Sequence, residues 1–394
     1  MKIITAKTKF RNYSIYIEKG LLKRAPMLVK SIFSDKLKAA LVTNDKIFSI
    51  YKKDIKNFLD ATGFENKIII IKDGEEQKNL ENTQYIYQNL LDFNFHRNDI
   101  VIAFGGGVIG DLAGFAASTF HRGTILLQIP TTIIAQTDSS IGGKAVVNYK
   151  GIKNIIGSFY QPHAIIIDPL LLETLEEKEI INGFAEIVKY GVVFDKKILS
   201  SLEELAKDSS DKNVFVSNKE QGKSINNISF KILKNKKFTD IIYTCCRIKA
   251  RIVQKDEFDT GYINLLNFGH TIGHAIEKVA NLKSISHGMA VAIGMIVATD
   301  ISIELGIANV SLRNKLLEIY KPLKLPHIIP QIDVNELLSS LKFDKKFSST
   351  ENKFILLKDL NKPIFGYNIE ENIIKKSILK NMPTEKLNEK SFNN

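Results

Sequence analysis

Four short apolar runs in the first half of the chain constrain its fold most strongly. These runs, at 39–44, 68–71, 100–104 and 164–168, are separated by amphipathic stretches. Buried strands that alternate with amphipathic helices are typical of α/β proteins with a mainly parallel sheet. Ligands of such sheets bind beyond the carboxyl ends of the strands. We therefore expect a binding site among the polar residues that follow the runs.

The segment after the third run matches a dinucleotide-binding pattern. Gly105, Gly107 and Gly110 give G-x-G-x-x-G between a strand and an alanine-rich helix. Missing side chains let the backbone approach a pyrophosphate, and amides at a helix start can bind it. The acidic residue that usually follows about 20 positions later is absent. The pattern predicts either a dinucleotide site of unusual type or a tight turn that needs glycine.

The second half of the chain has a different pattern. Helical periodicity dominates after about residue 178, over 179–206, 240–257, 268–281, 287–306, 311–320 and 334–342. We therefore predict an α/β domain over 1–177 and a helical domain over 178–376. Within the second domain, 207–238 is rich in Ser, Asn and Lys and is predicted to be a surface insertion or linker. Residues 377–394 are predicted to form a flexible tail.

Three of the seven histidines lie close together in the helical part. His270 and His274 are four residues apart, and His287 follows. Positions i and i+4 share a helix face, so these imidazoles can share a divalent metal, or one can bind metal while the other carries a proton. The alternative is chance, or core histidines that bond to the backbone. Glu186 is a candidate further ligand, because a charge in an apolar helix is costly unless it is paired or binds a metal.

Composition and charge narrow the class of protein. With 44% hydrophobic and 25% charged residues, the chain has the composition of a soluble globular protein. It has neither an apolar run long enough for a membrane span nor a signal peptide, so we expect no membrane partner. The two cysteines, Cys245 and Cys246, are adjacent, and this indicates a reducing cytoplasm. The net charge of +12 comes from scattered lysines without a basic stripe, so we expect no nucleic-acid partner.

Six motifs, taken together, resemble the 3-dehydroquinate synthase family of sugar-phosphate cyclases. They are Gly105–Asp111, Pro130–Thr132, Asp138–Lys144, Gly183–Gly191, Asn267–Glu277 and His287–Met295. The resemblance runs from about residue 39 to about 357, with 207–238 as a divergent insertion. It implies a Rossmann-like, mainly parallel sheet domain followed by a helical metal-binding domain.

The resemblance also implies an activity. Members of this family are phosphorus-oxygen lyases of the shikimate pathway, which leads to chorismate and the aromatic amino acids. They convert 3-deoxy-D-arabino-heptulosonate 7-phosphate to 3-dehydroquinate and phosphate by transient NAD oxidation, phosphate elimination, re-reduction and aldol closure. We therefore expect a cytoplasmic homodimer that acts on a small sugar phosphate. Its cofactors would be NAD and a divalent metal, zinc first and cobalt as the alternative.

Residue by residue, the resemblance implies four sets of site residues. The metal ligands are Glu186, His270 and His287, with His274 facing the substrate instead. The catalytic residues are Asp138, Lys144, Lys189, Asn267 and His274. The substrate-binding residues are Arg122, Asn154, Lys249 and Lys345, with Lys346 as the alternative to Lys345 and Arg122 reaching the phosphate pocket across a dimer interface. The NAD-binding residues are Asn44, Asp73, Gly74, Glu75, Glu76, Gln77, Lys78, Gly107, Val108, Ile109, Gly110, Asp111, Thr131, Thr132, Lys144, Lys153, Leu171, Leu172, Glu173 and Thr174.

One position departs from the family pattern. Ile263 stands where the family has an arginine that helps to bind the substrate carboxylate. A lost charged hydrogen bond costs on the order of 1.5–3 kcal/mol. Either a nearby basic residue substitutes, or the substrate lacks the carboxylate, as in other sugar-phosphate cyclases. Lys249, Asn267 and His274 usually change in those cyclases and are retained here, which favours dehydroquinate synthase.

Two further readings remain. An NAD- and metal-dependent polyol dehydrogenase would share the two-domain arrangement, but 138–144 and the lysine-rich phosphate set argue against it. An inactive NAD- or zinc-binding scaffold is suggested only by Ile263. The retained Glu186, His270 and Lys189 argue against that scaffold.

Overall fold

The computed structural model describes residues 1–33, 37–211, 228–280, 285–343, 354–367 and 369–383. The strands are β1 (Lys2–Ala6), β2 (Tyr13–Ile17), β3 (Lys38–Asn44), β4 (Glu65–Ile71), β5 (Ile100–Gly105), β6 (Ile125–Pro130), β7 (Lys144–Tyr149), β8 (Ile152–Phe159), β9 (Ala164–Ile167), β10 (Phe354–Asp359) and β11 (Lys362–Tyr367). The helices are α1 (Ala25–Ile32), α2 (Asp45–Thr62), α3 (Leu80–Asp92), α4 (Gly107–Thr119), α5 (Glu177–Val193), α6 (Lys197–Asp211), α7 (Ile228–Lys234), α8 (Lys236–Lys255), α9 (His270–Val279), α10 (His287–Glu304), α11 (Val310–Leu323), α12 (Val334–Phe343) and α13 (Glu371–Lys380).

The four sequence-predicted strands, β3, β4, β5 and β9, lie in one sheet, in which β6, which was not predicted, separates β9 from β5. Its order is β1-β2-β9-β6-β5-β3-β4, and all neighbours are parallel except β1 and β2. The carboxyl ends of the parallel strands therefore meet at one edge, where Asn44 pairs with Ile71 and Gly105 with Pro130. This confirms the predicted mainly parallel α/β architecture and places the polar segments that follow the strands along a common edge.

Alternation along the strands explains why helices cover both faces of the sheet. Leu41 and Ile102 point into one core with α1 and α2, whereas Val42 and Val101 point into the other with α3 and α4. Strands that are buried on both faces need uninterrupted aliphatic sequence, as these have. A two-stranded hairpin of β7 and β8 packs beside α4.

The chain divides into two compact units. The first comprises Met1–Gly183 and Glu204–Ile263, and the second Phe184–Glu203 and Asn264–Asn394. The sequence-based division placed 204–263 in the helical domain, whereas this segment belongs to the unit that holds the sheet. The physical reason is α8, whose buried face packs against β1 and a π-helical turn at Ala135–Ser139.

Two sequence predictions about mobile segments need correction. The predicted insertion 207–238 includes α7, where Ile232 and Leu233 are buried; its middle, 212–227, lies outside the described residues. The predicted tail 377–394 begins inside α13, and Ser377 and Asn381 are fully buried. These residues are ordered because α13 completes a hydrophobic core with α9, α10 and α12. Residues 384–394 lie outside the described residues.

A buried carboxylate fastens α13 to the other helices of the second unit. Asp300 of α10 is fully buried and accepts hydrogen bonds from Arg313 Nε (3.0 Å), Lys380 Nζ (2.6 Å) and Asn381 Nδ2 (2.8 Å). Arg313 also donates to Asn381 Oδ1 at 3.1 Å. A buried charge is tolerated when it is paired and hydrogen-bonded. Asp300 thus ties together α10, α11 and α13.

Helix α10 is the core helix of the second unit. Among the described residues it alone is long and apolar enough to cross a membrane, but 78% of that window is buried inside the protein. A helix that is hydrophobic on all sides belongs in a protein core or in a membrane. Its packing against α9, α11, α13 and β10 assigns it to the core.

Candidate active site

The carboxyl edge of the sheet begins with an amide and a carboxylate. Asn44 ends β3, caps α2 by accepting from Ile47 N at 2.8 Å, and donates from Nδ2 to Asp73 Oδ1 at 2.6 Å. Asp73 opens the 73–78 segment after β4. The structure therefore brings two sequence-predicted cofactor residues together, although they lie far apart in the chain.

The glycine segment forms the turn from β5 into α4. Gly106 is the N-cap of α4 and offers no side-chain hydrogen bond to the first turn, so the helix begins with backbone amides alone. A Cβ at Gly105 would clash with Ile109 at 2.6 Å, whereas a Cβ at Gly107 would meet only Ser139 Oγ, at 3.4 Å. Gly105 is therefore needed by the turn itself. Gly107 leaves open space over the helix N-terminus, which suits an anionic group.

We expect Gly107→Val to weaken NAD binding by roughly 10–100-fold while the protein still folds, because overpacking against a bound ligand costs about 1–3 kcal/mol. Zinc affinity and the unfolding midpoint should stay near their wild-type values. Titration calorimetry with NAD and with zinc measures both. Unchanged NAD affinity would return this segment to a purely structural turn.

A buried lysine connects three predicted ligand segments of the first unit. The Lys78 ammonium contacts Asp111 Oδ2 and Asn154 Oδ1, both at 2.6 Å. Burial raises the pKa of Asp111 to about 6, against the lowering effect of Lys78. Asn154 adopts a left-handed φ of 56°, a conformation that is uncommon for a residue with a side chain and occurs at functional sites.

Two further ion pairs hold a lysine predicted to bind substrate, Lys249, and one predicted to be catalytic, Lys144. Lys249 of α8 is buried and pairs with Asp138, which lies in the π-helical turn. Lys144 pairs with Asp259 at 2.6 Å. Asp259 is absent from the sequence-based set. It follows α8 in a polar turn, and no spacing in the sequence links it to Lys144.

The other residues predicted to bind NAD or substrate in the first unit differ in burial. Thr131 is buried after β6 and donates its amide to Gly105 O at 2.9 Å, and Thr132 Oγ1 accepts from Ala135 N at 3.2 Å. Leu171 and Leu172 are buried in the turn after β9; Glu173 pairs with Lys19 at 2.9 Å, and Thr174 bonds to Tyr51. Lys153 and Arg122 are exposed, and Lys345 and Lys346 lie outside the described residues.

The second unit brings the predicted metal ligands together. Glu186 Oε1 lies 3.7 Å from His270 Nε2 and 3.6 Å from His287 Nε2. These ligands come from α5, α9 and α10. A ligand atom of His274 also falls in this cluster, since the imidazole nitrogens of the three histidines approach within 4.8 Å of one another. The i, i+4 spacing of His270 and His274 thus does put both rings on one face of α9.

The chemistry of this cluster fits a divalent cation. Glu186 is 2% exposed, and neither of its oxygens accepts a well-directed hydrogen bond from the described residues, although Lys189 forms an ion pair with it. Burial, and next the Lys189 ammonium, hold the pKa of His270 well below its usual range, so its imidazole is neutral. Metals bind neutral imidazole and ionised carboxylate.

One neighbour of the cluster was missed by the sequence analysis. Glu277 of α9 is 6% exposed, and its Oε2 lies 3.0 Å from His287 Nδ1. Burial opposes charge on His287, but this hydrogen bond and the Glu186 carboxylate outweigh it and raise the pKa of His287. The sequence does contain a signal for Glu277. It is an acid in an apolar helix, and the same feature made Glu186 a candidate.

Comparison with known proteins identifies the family of this chain. The model of the 3-dehydroquinate synthase N-terminal domain matches residues 68–182, and that of the C-terminal domain matches 183–347. The chain belongs to the 3-dehydroquinate synthase family. The 3-dehydroquinate synthase of Clostridium botulinum is 39% identical over 360 residues, which cover 91% of this chain and 96% of the relative. That of Clostridium kluyveri is 37% identical over 383 residues, 95% of this chain and 100% of the relative.

Solved structures share the fold of this 3-dehydroquinate synthase family member at low identity. A 2-epi-5-epi-valiolone synthase from Streptomyces hygroscopicus, with NAD⁺ and Zn²⁺ bound, has a TM-score of 0.82 at 23% identity and covers 95% of this chain and 98% of its own. A 2-deoxy-scyllo-inosose synthase complexed with carbaglucose-6-phosphate, NAD⁺ and Co²⁺ has a TM-score of 0.79 at 22% identity, with 96% and 100% covered. These likenesses confirm the predicted two-part fold.

Proposed function

We propose that this protein is a 3-dehydroquinate synthase that forms 3-dehydroquinate and phosphate from 3-deoxy-D-arabino-heptulosonate 7-phosphate, with NAD and a divalent metal. The observation that carries the proposal is the convergence of Glu186, His270 and His287 in a chain of this family. The fold neighbours with NAD⁺ and Zn²⁺ or Co²⁺ bound support the same cofactor classes. Zinc is our first choice of metal.

Residues of the first unit would bind NAD, and residues of the second unit would bind the metal. When bound, NAD supplies a hydride acceptor that later returns the hydride, and the metal supplies a Lewis acid for the substrate hydroxyls. Glu186, His270 and His287 would hold the metal, and the amides at the start of α4 would hold the NAD pyrophosphate. Asn44, Asp73 and the 171–174 turn would surround the rest of the cofactor.

Three lysines that would bind anionic groups of the substrate are each held by an ion pair. Lys78, Lys144 and Lys249 each pair with a carboxylate in this structure, so each ammonium is held in place before an anionic substrate group competes for it. Charge-assisted hydrogen bonds from such lysines, with Asn154, would bind phosphate and carboxylate oxygens. Asn267 and the exposed ring of His274 would meet the substrate beside the metal ligands, where His274 can carry a proton.

Catalytic use of NAD separates this proposal from a dehydrogenase. We expect many molecules of phosphate per molecule of NAD from the heptulosonate phosphate, without net NADH, and loss of release after treatment with a chelator. A coupled phosphate assay and absorbance at the NADH band measure both. Stoichiometric NADH with a simple polyol, and no phosphate release, would assign the chain to the polyol dehydrogenases instead.

The carboxylate end of the substrate is the place to test its identity. Ile263 is buried and carries no charge. Arg247 lies two residues before Lys249 and therefore projects from a different face of α8, where its guanidinium lies 5.9 Å from the Tyr243 ring. Lys249 is therefore the first candidate to bind the carboxylate. Lys249→Met should raise KM by roughly 10–150-fold, because one charged hydrogen bond contributes about 1.5–3 kcal/mol. Ile263→Arg should keep or improve activity.

The contrary result has a definite meaning. If Lys249→Met leaves KM unchanged and the enzyme prefers sedoheptulose 7-phosphate, which has no carboxylate, the protein is a different sugar-phosphate cyclase. Lys231→Met provides the control, since it replaces a lysine of the same unit outside the predicted site. Steady-state kinetics with both sugar phosphates decide the question.

We also propose a cytoplasmic homodimer. Cys245 and Cys246 are both buried free thiols, in keeping with a reducing compartment. Arg122 is exposed with a left-handed φ of 61°. β8 exposes Ile155 and Phe159, which lie four residues apart on one face of the strand, and a second copy could cover this apolar face. Light scattering after gel filtration tests this, and a monomer at micromolar concentration would contradict it.

A further inference from the structure

Both imidazoles proposed as metal ligands have a partner on the ring nitrogen that faces away from Glu186. His270 Nδ1 lies 3.4 Å from the backbone oxygen of Phe268, and His287 Nδ1 lies 3.0 Å from Glu277 Oε2. Their Nε2 atoms lie at nearly equal distances, 3.7 and 3.6 Å, from Glu186 Oε1. The two rings therefore present the same nitrogen to one point.

The two Nδ1 contacts differ in strength. A hydrogen bond to a carboxylate is shorter and about twice as strong as one between neutral groups. The His270 contact is long and ends on a backbone carbonyl, whereas the His287 contact ends on a buried acid. His287 is also the first residue of α10, and its side chain is 36% exposed, so packing constrains its ring less than that of His270, which is 12% exposed.

We propose that Glu277 is a positioning residue for the metal site, fixing the His287 ring and the tautomer that keeps a proton on Nδ1. The lone pair of Nε2 then points toward Glu186. The inference rests on the proposed function, because it assigns Glu277 a role toward the metal of that enzyme. Carboxylates that orient a metal-binding histidine typically change metal affinity by about 10–100-fold when they are removed.

The place of Glu277 in α9 supports this role. It lies seven residues after His270 and three after His274, so all three project from one face of the helix. Helices α9 and α10 pack against each other, which brings this face toward the start of α10. A carboxylate that served only to join the two helices would not need to end on the Nδ1 atom of a ligand histidine.

Two substitutions separate positioning from simple packing. Glu277→Leu fills a similar volume without an acceptor, and Glu277→Gln keeps an acceptor oxygen. We expect Glu277→Leu to weaken zinc binding by about 10–100-fold and Glu277→Gln by only a few fold. NAD affinity and the unfolding midpoint of the chelated protein should change little in either. Glu304→Gln, at the far end of α10, is the matched control and should bind zinc like the wild type.

Zinc affinity is measured by competition with a chromophoric chelator, independently of turnover. Equal zinc affinity in wild type and Glu277→Leu, or equal weakening in Leu and Gln, would overturn the inference. Absence of zinc binding by the wild type would instead overturn the proposed function. If Glu277→Leu does not fold, long-range ¹H–¹⁵N spectra of the zinc-loaded wild type provide the test, because they show which nitrogen of His287 carries the proton. They should show His287 with metal on Nε2 and a proton on Nδ1, and the reverse arrangement would refute the role.

Discussion

Replacement of His270 by alanine is expected to abolish tight metal binding and to lower turnover by at least about a thousandfold. A Lewis acid contributes several kcal/mol to such a transition state, and each 1.4 kcal/mol or so is a factor of ten. His270 supplies one of two Nε2 atoms close to Glu186 Oε1, and burial holds its pKa low, so the ring is neutral and ready to bind. Zinc content after dialysis and steady-state phosphate release measure the effect.

A matched histidine provides the control. His327 belongs to the same unit and is exposed, so His327→Ala should leave zinc content and turnover unchanged. His270→Ala should still unfold cooperatively, because the buried Glu186 carboxylate keeps its ion pair with Lys189 when the imidazole is removed. A His270→Ala protein that kept one zinc per chain and stayed active would remove this histidine from the metal site.

Replacement of Asp300 by alanine is expected to lower the free energy of unfolding by about 3–5 kcal/mol. Removal of one partner from a buried ion pair leaves the other charge uncompensated. Arg313 and Lys380 would both lose their carboxylate, and Asn381 would lose an acceptor. Urea unfolding followed by circular dichroism measures the change.

Glu304 forms a more exposed ion pair on the same two helices. It pairs with Lys376 at 2.6 Å, and the Lys376 side chain is 69% exposed, so Glu304→Ala should cost only about 0–1 kcal/mol. Asp300→Ala should therefore be far more destabilising than Glu304→Ala. Similar losses in the two variants would show that the Asp300 contacts contribute no more than a surface pair.

The parallel sheet could be predicted because its strands carry their own signal. Runs such as Ile100–Phe104 are buried on both faces, so every residue is apolar and the run stands out. Strands β1, β2, β6, β10 and β11 and the β7–β8 hairpin were not predicted. Apolar residues of β8, among them Ile152, Ile155 and Phe159, are exposed, so the alternation of apolar and polar residues does not separate inside from outside there.

The same distinction explains what could be predicted of the site. Glycines at a turn and histidines one helical turn apart are local patterns, so the Gly105–Gly110 turn and the His270–His274 face could be read directly. Pairings such as Lys144 with Asp259, or Lys78 with Asn154, join residues distant in sequence through the fold. The family resemblance supplied most of the remaining candidates, and the placement of 204–263 followed from the packing of α8, which no local pattern encodes.

Helix α10 has a consequence for how the chain is made. The segment His287–Glu304 is apolar along most of its length, and until it is covered it resembles a membrane-spanning segment. The partners that cover it include β10 and α13, which leave the ribosome later. Asp300 lies inside this segment, four residues before its end, and an aspartate opposes insertion into a bilayer by at most about 2.5–3.5 kcal/mol, the cost at the centre of a span. The acid that fastens α13 in the folded protein thus also raises the free-energy cost of inserting this segment into a membrane while the chain is being made.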